Sequence, residues 1–257
     1  MTSADALKVL VTGGSGASGI ATARALHQAG FRVFTAGSDK SRIEAAAAEA
    51  GNGVTPLVCD LAKVSEVRAM HGALSESAGP MDGVIHLVGG WRGAKGIADQ
   101  SDDDWDFLEL GAITTLRNVS RVFYGDLEAS GTGRFAMVSS TAVSAPTAGG
   151  ASYVAAKAAA EAWTMAIADG FRRAQTEASG SSRPGSVQPG SSPSASGHGS
   201  AAVVLVVKAL VDAEMRRQHP ERTFPGHTDV EDLAAAVVGL FGRPATELNG
   251  LRLPLTR

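Results

Sequence analysis

The sequence predicts an α/β domain built on a doubly wound parallel sheet, and three observations predict it. Short apolar runs alternate with longer segments of helical periodicity along the whole chain. Several of those runs are apolar at every position, as expected when helices cover both faces of a parallel sheet. A glycine-rich turn joins the first run to the first helical pattern.

In chain order the predicted strands are Leu7 to Val11, Arg32 to Ala36, Val54 to Cys59, Gly83 to Val88, Arg134 to Val138 and Ala202 to Val207, with a short last one at Leu251 to Leu255. The first strand runs into "TGGSGASGI", which opens directly onto a helical spacing at Ile20, Ala23, Leu26 and Ala29. A turn without side chains lets a pyrophosphate approach the backbone, and the free N–H groups and dipole of the following helix attract its charge. On such a sheet the ligand lies at the carboxyl ends of the strands, where Gly13, Asp60, Gly89 and Ser140 fall by this reading.

A second constellation lies near the middle of the chain. Tyr153 and Lys157 stand four positions apart, hence on one face of a helix, and Ser140 precedes them at the end of a predicted strand. A lysine ammonium below a phenol favours the phenolate and lowers a pKa that is ordinarily about 10. A serine hydroxyl beside them holds and polarises a carbonyl oxygen.

Together the two patterns resemble the short-chain dehydrogenase/reductase family, with its Thr-Gly-x-x-x-Gly-x-Gly turn and its Ser, Tyr and Lys at this spacing; the resemblance covers nearly the whole chain. It implies a single Rossmann-type domain over residues 1–257, with Ser140, Tyr153 and Lys157 catalytic. It also implies a dinucleotide held by Gly13, Ser15, Gly16, Ser18, Gly19, Ser38, Asp60, Leu61 and Gly89, together with Tyr153 and Lys157. A homodimer or homotetramer is implied as well, with small residues Ala155, Ala156, Ala159 and Ala160 admitting a partner helix. The implied substrate pocket is bounded by 91–101, 142–151 and 212–227.

The chain departs from the family pattern at four places. Ala17 replaces the second glycine of the turn, and His86, Leu87, Val88 and Gly89 occupy the place of Asn-Asn-Ala-Gly. The relay asparagine falls on Ala112, beside Gly111, and the Pro-Gly after the sixth strand is Lys208 and Ala209. His86 reads as a structural substitute and Ser139 as structural. The run "GGWRG" at Gly89 to Gly93 is similar to the corresponding place in dihydropteridine reductases, which also lack that asparagine.

Cofactor choice rests on the end of the second strand. Enzymes preferring NAD place an acid there to hold the ribose hydroxyls, and that position is Gly37. Ser38 stands where NADP-preferring members often carry arginine, while Lys40 and Arg42 supply positive charge and Asp39 opposes it. NADP is expected over NAD.

Composition narrows the remaining classes. With 257 residues, 44% apolar and a formal charge of −3, the chain buries one sizeable core and offers no basic surface for nucleic acid. No apolar run approaches the ~20 residues of a membrane span, and the start lacks signal-peptide character, so a cytoplasmic protein without a membrane partner is expected. The single Cys59 and six histidines show no metal-ligand spacing, and no metal is expected. Between Ala178 and Ser200, 17 of 23 residues are Ser, Gly or Pro, which predicts a disordered insertion. The function expected is reduction of a small carbonyl compound to an alcohol, by hydride transfer from NADPH with Tyr153 as proton donor. The alternative is a non-catalytic dinucleotide-binding sensor or structural protein.

Overall fold

Side chains alternate across a strand, so a run of apolar residues serves two cores at once. In the computed structural model, which describes residues 6–180 and 199–255, the first strand β1 (Lys8–Thr12) is followed by α1 (Ala17–Gln28), β2 (Arg32–Gly37), α2 (Lys40–Ala50), β3 (Thr55–Val58), α3 (Val64–Ser77) and β4 (Gly83–His86). Helix α4 (Asp102–Glu109) then passes through a wider π turn at Leu110–Thr114 into α5 (Thr115–Ala129), β5 (Arg134–Ser140) and the long α6 (Ala151–Gly180). The rest comprises β6 (Ala201–Val207), β7 (Leu210–Val211), α7 (Ala213–Gln218), β8 (Thr228–Asp229), α8 (Val230–Leu240), α9 (Ala245–Leu248) and β9 (Leu251–Pro254).

Seven strands form one sheet in the order β3-β2-β1-β4-β5-β6-β9, every neighbour parallel. Val9 and Val11 join Leu26, Val33, Leu233 and Val237 in the core under α1 and α8. Leu10, between them, joins Met70, Leu116, Phe123 and Phe171 on the opposite face, under α3, α5 and α6. In β6, Val203 and Leu205 divide from Val204 and Val206 in the same way. This is the doubly wound arrangement expected from the uninterrupted apolar runs. Strand order reverses at β1, whose neighbours are β2 and β4, and that switch opens a crevice at the carboxyl ends.

Strand ends differ from the sequence reading by a few residues at most places, because pairing rather than hydropathy decides them. Serines at the end of β5 continue the ladder to Val207 of β6. The small parallel pair of β7 and β8 carries no sequence signature; each is two residues long. The predicted 178–200 insertion is corrected at both margins. Helix α6 continues through Gly180, and Ser200 is buried with its hydroxyl on the Leu127 carbonyl, while residues 181–198 lie outside those described. The predicted stripe of four alanines is also divided: Ala156 and Ala160 are buried inside this chain, and Ala155 and Ala159 are exposed.

One buried cation ties the far end of the sheet. Arg134 is 1% exposed and donates to the carbonyls of Leu240 (2.9 Å), Gly133, Gly199 and Arg243 (each 2.8 Å), joining β5 to the carboxyl end of α8 and the approach to β6. The negative end of the α8 dipole offers it a favourable field without a carboxylate. Replacing Arg134 with Met removes four hydrogen bonds at once, leaving Gly133 only its bond from the Ala201 N–H, and is expected to lower unfolding free energy by about 3 kcal/mol or more. Urea titration checks this, and an unchanged midpoint refutes it.

Candidate functional site

The glycine turn is built by close approach. Gly13 has φ +78°, which a side chain resists, and a Cβ there would meet the Leu87 carbonyl carbon at 2.9 Å. A Cβ on Gly19 would stand 2.4 Å from the Gly13 oxygen, so Gly19 lets α1 press onto its own turn and does not itself line a cavity. Gly16 caps α1 with no side-chain hydrogen bond, leaving first-turn N–H groups open to an anion. Ala17 is exposed and lines neither of the cavities described next, so its extra methyl costs the turn nothing.

A cavity of about 390 Å³ begins at this turn, bordered by Gly13, Ser15, Gly16, Ser18, Ser38, Asp60, Leu61 and Gly89. Arg42 and Asp39 border it too; Lys40 instead pairs with Glu44 at 3.9 Å. The Asp39 carboxylate caps α2, accepting from the Arg42 N–H at 2.8 Å and the Ser41 hydroxyl at 2.7 Å, and these bonds lower its pKa. A second cavity of about 680 Å³ holds Ser140, Tyr153 and Lys157 and shares Ser18, Leu87, Val88 and Gly89 with the first. The two form one cleft, with a glycine-walled end and an end bearing the hydroxyl, phenol and ammonium. An extended dinucleotide fits this combination: bare backbone and a helix N-terminus for the pyrophosphate, and a longer reach to the trio.

Asn118 and Thr115 also shape the cleft, and sequence reasoning missed both. Asn118, buried on α5, donates to the carbonyls of Leu61 (3.0 Å) and Ala62 (2.9 Å) and pins the loop that carries Asp60. Thr115 borders the first cavity and belongs to a chain of hydrogen bonds through His86. Its hydroxyl has one proton, which goes to the Gly111 carbonyl at 2.7 Å, so it accepts from His86 Nε2 at 3.2 Å. His86 Nδ1 then accepts from the Thr12 hydroxyl at 2.8 Å, which fixes one neutral tautomer. Burial, aided by the Lys157 charge, lowers the His86 pKa to about 3. Reading His86 as structural agrees with this geometry: the ring joins the end of β1 to the π turn.

Ser140 closes β5 and accepts from the Ala142 N–H at 3.2 Å, while Tyr153 and Lys157 occupy the first two turns of α6. Burial raises the Tyr153 phenol pKa and outweighs the neighbouring Ser140 hydroxyl, whose influence lowers it. That is the reverse of the direction expected from Lys157. Lys157 turns to the Val138 carbonyl at 2.8 Å, and burial lowers its pKa to about 8, against a raising influence from Glu161. Ser139 is buried, and its hydroxyl has no hydrogen-bond partner among the described residues.

The π turn survives although Ala112 stands in it. Ala112 packs with Leu108 and Ala156 against Tyr153, so an apolar cluster fills the place of a polar relay side chain. Lys208 borders the second cavity and donates to the Pro225 carbonyl at 2.9 Å, with its stem against Gly226. Among the described residues no helix is long and apolar enough to cross a membrane.

Comparison with known proteins agrees with this architecture. The sequence profile of the short chain dehydrogenase family matches residues 7–190. A Streptomyces coelicolor protein named as a ketoacyl reductase is 28% identical over 65% of this chain and 66% of its own length. Nodulation protein G of Rhizobium meliloti is 31% identical over 63% and 65%. The match thus spans just under two thirds of each of these curated relatives. Among solved structures, the NADPH-bound short chain oxidoreductase of Pseudomonas aeruginosa PAO1 with an atypical catalytic center has a TM-score of 0.78 at 19% identity, covering 97% of this chain and 95% of that one. A variant of actinorhodin polyketide ketoreductase with NADPH has a TM-score of 0.77 at 22% identity, covering 99% and 97%. With a profile match over most of its length and a parallel sheet whose glycine turn opens onto Ser140, Tyr153 and Lys157, the chain belongs to the short-chain dehydrogenase/reductase family.

Proposed function

We propose that the chain is an NADPH-dependent reductase that converts a carbonyl group to an alcohol. The observation that carries this reading is the meeting of Ser140, Tyr153 and Lys157 in a cavity continuous with the glycine-walled cleft. Relatives named for ketoacyl and polyketide ketone reduction support it.

When bound, the dinucleotide supplies the hydride that adds to the carbonyl carbon. Tyr153 gives its phenolic proton to the carbonyl oxygen, and a phenol raised by burial stays protonated at neutral pH, ready to act as an acid. The Ser140 hydroxyl donates to the same oxygen and holds it within reach of the phenol. Lys157, which donates to the Val138 carbonyl, would hold the nicotinamide ribose hydroxyls, and its positive charge favours the phenolate as it forms. The balance is ketone, NADPH and one proton to alcohol and NADP⁺. Preference for the phosphorylated cofactor rests on Gly37, which brings no carboxylate, on Ser38 and Arg42 at the cleft wall, and on Asp39 being engaged as a helix cap.

One observation favours a second reading. The apolar cluster around Ala112 leaves Tyr153 without the family's polar relay, as in a protein that binds the dinucleotide and reports on it without turnover.

Three measurements test the proposal. Calorimetry is expected to give NADPH at least the tenfold tighter binding that ~1.4 kcal/mol represents, and equal affinities for NADH refute the cofactor assignment. Tyr153→Phe is expected to keep NADPH affinity while turnover falls by ~10²- to 10⁴-fold; a wild type that binds NADPH and reduces nothing across ketones, quinones and acyl-thioester ketones establishes the sensor instead. Because burial sets the Lys157 pKa at about 8, its ammonium is present below that pH and lost as pH rises through it. The profile of kcat/KM for NADPH is therefore expected to be flat near neutrality and to fall above about pH 8, and a flat alkaline limb contradicts this role.

A further inference from the structure

We infer that the substrate is a ketone whose carbonyl adjoins a ring system, and that Trp91 recognises the ring; this rests on the reductase reading. The Trp91 indole borders the cavity that holds Ser140 and Tyr153, and the residue is 66% exposed. An indole left in water at the mouth of a reactive cavity offers a large apolar face at low entropic cost.

The loop that carries it is anchored. Gly93 lies against the indole so closely that a Cβ would stand 2.6 Å from the ring. The next side chain, Arg92, lies over the Phe107 ring at 4.0 Å, pairs with Asp104 at 3.5 Å and donates to the Trp91 carbonyl at 3.0 Å. The Ala94 N–H reaches the Gly149 carbonyl at 2.8 Å. At the far end of the loop, the Gln100 amide donates to the carbonyls of Ala148 (3.1 Å) and Gly149 (3.3 Å) and accepts from the Ser152 hydroxyl at 2.7 Å, one residue before Tyr153. These contacts tie the loop that carries the indole to the segment that leads into Tyr153.

Small residues border the cavity that the indole shares. Gly90, Ala94, Ala142, Gly149 and Gly150 add almost no side-chain relief to its wall. Among the described residues no carboxylate borders the cavity, and the ammonium groups of Lys157 and Lys208 there each donate to a main-chain carbonyl. A ring fills such a space with no internal rotations to freeze, whereas an acyclic chain of equal carbon count loses several.

The test compares 2-tetralone with 2-decanone, ten carbons each, on the NADPH-loaded wild type, Trp91→Ala and Trp91→Phe, reading both turnover and ketone affinity. Expected is a preference of about tenfold or more in kcat/KM and Kd for the bicyclic ketone, abolished in Trp91→Ala and kept in Trp91→Phe. NADPH affinity is expected to be the same in all three. Equal handling of the two ketones by the wild type overturns the inference while leaving the reductase reading intact, as does a preference that survives in Trp91→Ala. Trp91-dependent affinity for the bicyclic ketone without any reduction overturns the reductase reading and supports the ring site. Absence of both affinity and reduction for either ketone overturns the inference.

Discussion

The contact on which the rest of the site depends is main chain against main chain. The Cα of Gly19 rests so near the Gly13 carbonyl that one methyl group there would stand 2.4 Å from its oxygen. This brings the start of α1 down onto the end of β1, at the point where strand order reverses. Gly13, at positive φ, lies in turn against the backbone that leaves β4. The turn therefore fixes two distances together: from helix N-terminus to sheet, and from the glycine cleft to the Leu87–Gly89 segment shared with the reactive cavity.

Two departures from the family pattern, far apart in sequence, belong to one device. His86 accepts a hydrogen bond from the Thr12 hydroxyl and donates one to Thr115, whose own hydroxyl donates to the Gly111 carbonyl in the π turn. Next to Gly111, Ala112 faces a small apolar cluster with Tyr153. An imidazole spans the distance between strand end and helix turn, and complete burial keeps it neutral, with a pKa of about 3, so it positions its neighbours and carries no charge at neutral pH. The π turn is thus held by a side chain of β4 and does not require an asparagine within it.

Much of this was legible in the sequence because it is local. The i, i+4 spacing of Tyr153 and Lys157 needs only a helix, and the glycines of the turn need only a backbone without room for side chains. Apolar runs without alternation announced a sheet covered on both faces, and the two cores divide successive residues of β1 and β6 accordingly. What escaped was non-local. Asn118 pins a loop 57 positions away, and Arg134 binds carbonyls more than 100 positions away; neither residue type has a spacing that signals such a partner. The margins of the Ser, Gly and Pro-rich segment escaped for the same reason, since the burial of Ser200 rests on the carbonyl of Leu127.

By itself, then, the sequence determined the fold class, the family and the serine, tyrosine and lysine that meet in the cleft, because residue type and short-range spacing decide strands, turns and helix faces. Tertiary structure alone decided how those groups stand toward one another. Burial raises the Tyr153 phenol against the influence of its serine, the Val138 carbonyl takes the Lys157 ammonium, and the Asp39 carboxylate is spent on a helix cap. Each of these follows from desolvation or from a backbone carbonyl or N–H supplied by the fold, and such influences depend on distances in space that spacing along the chain does not encode.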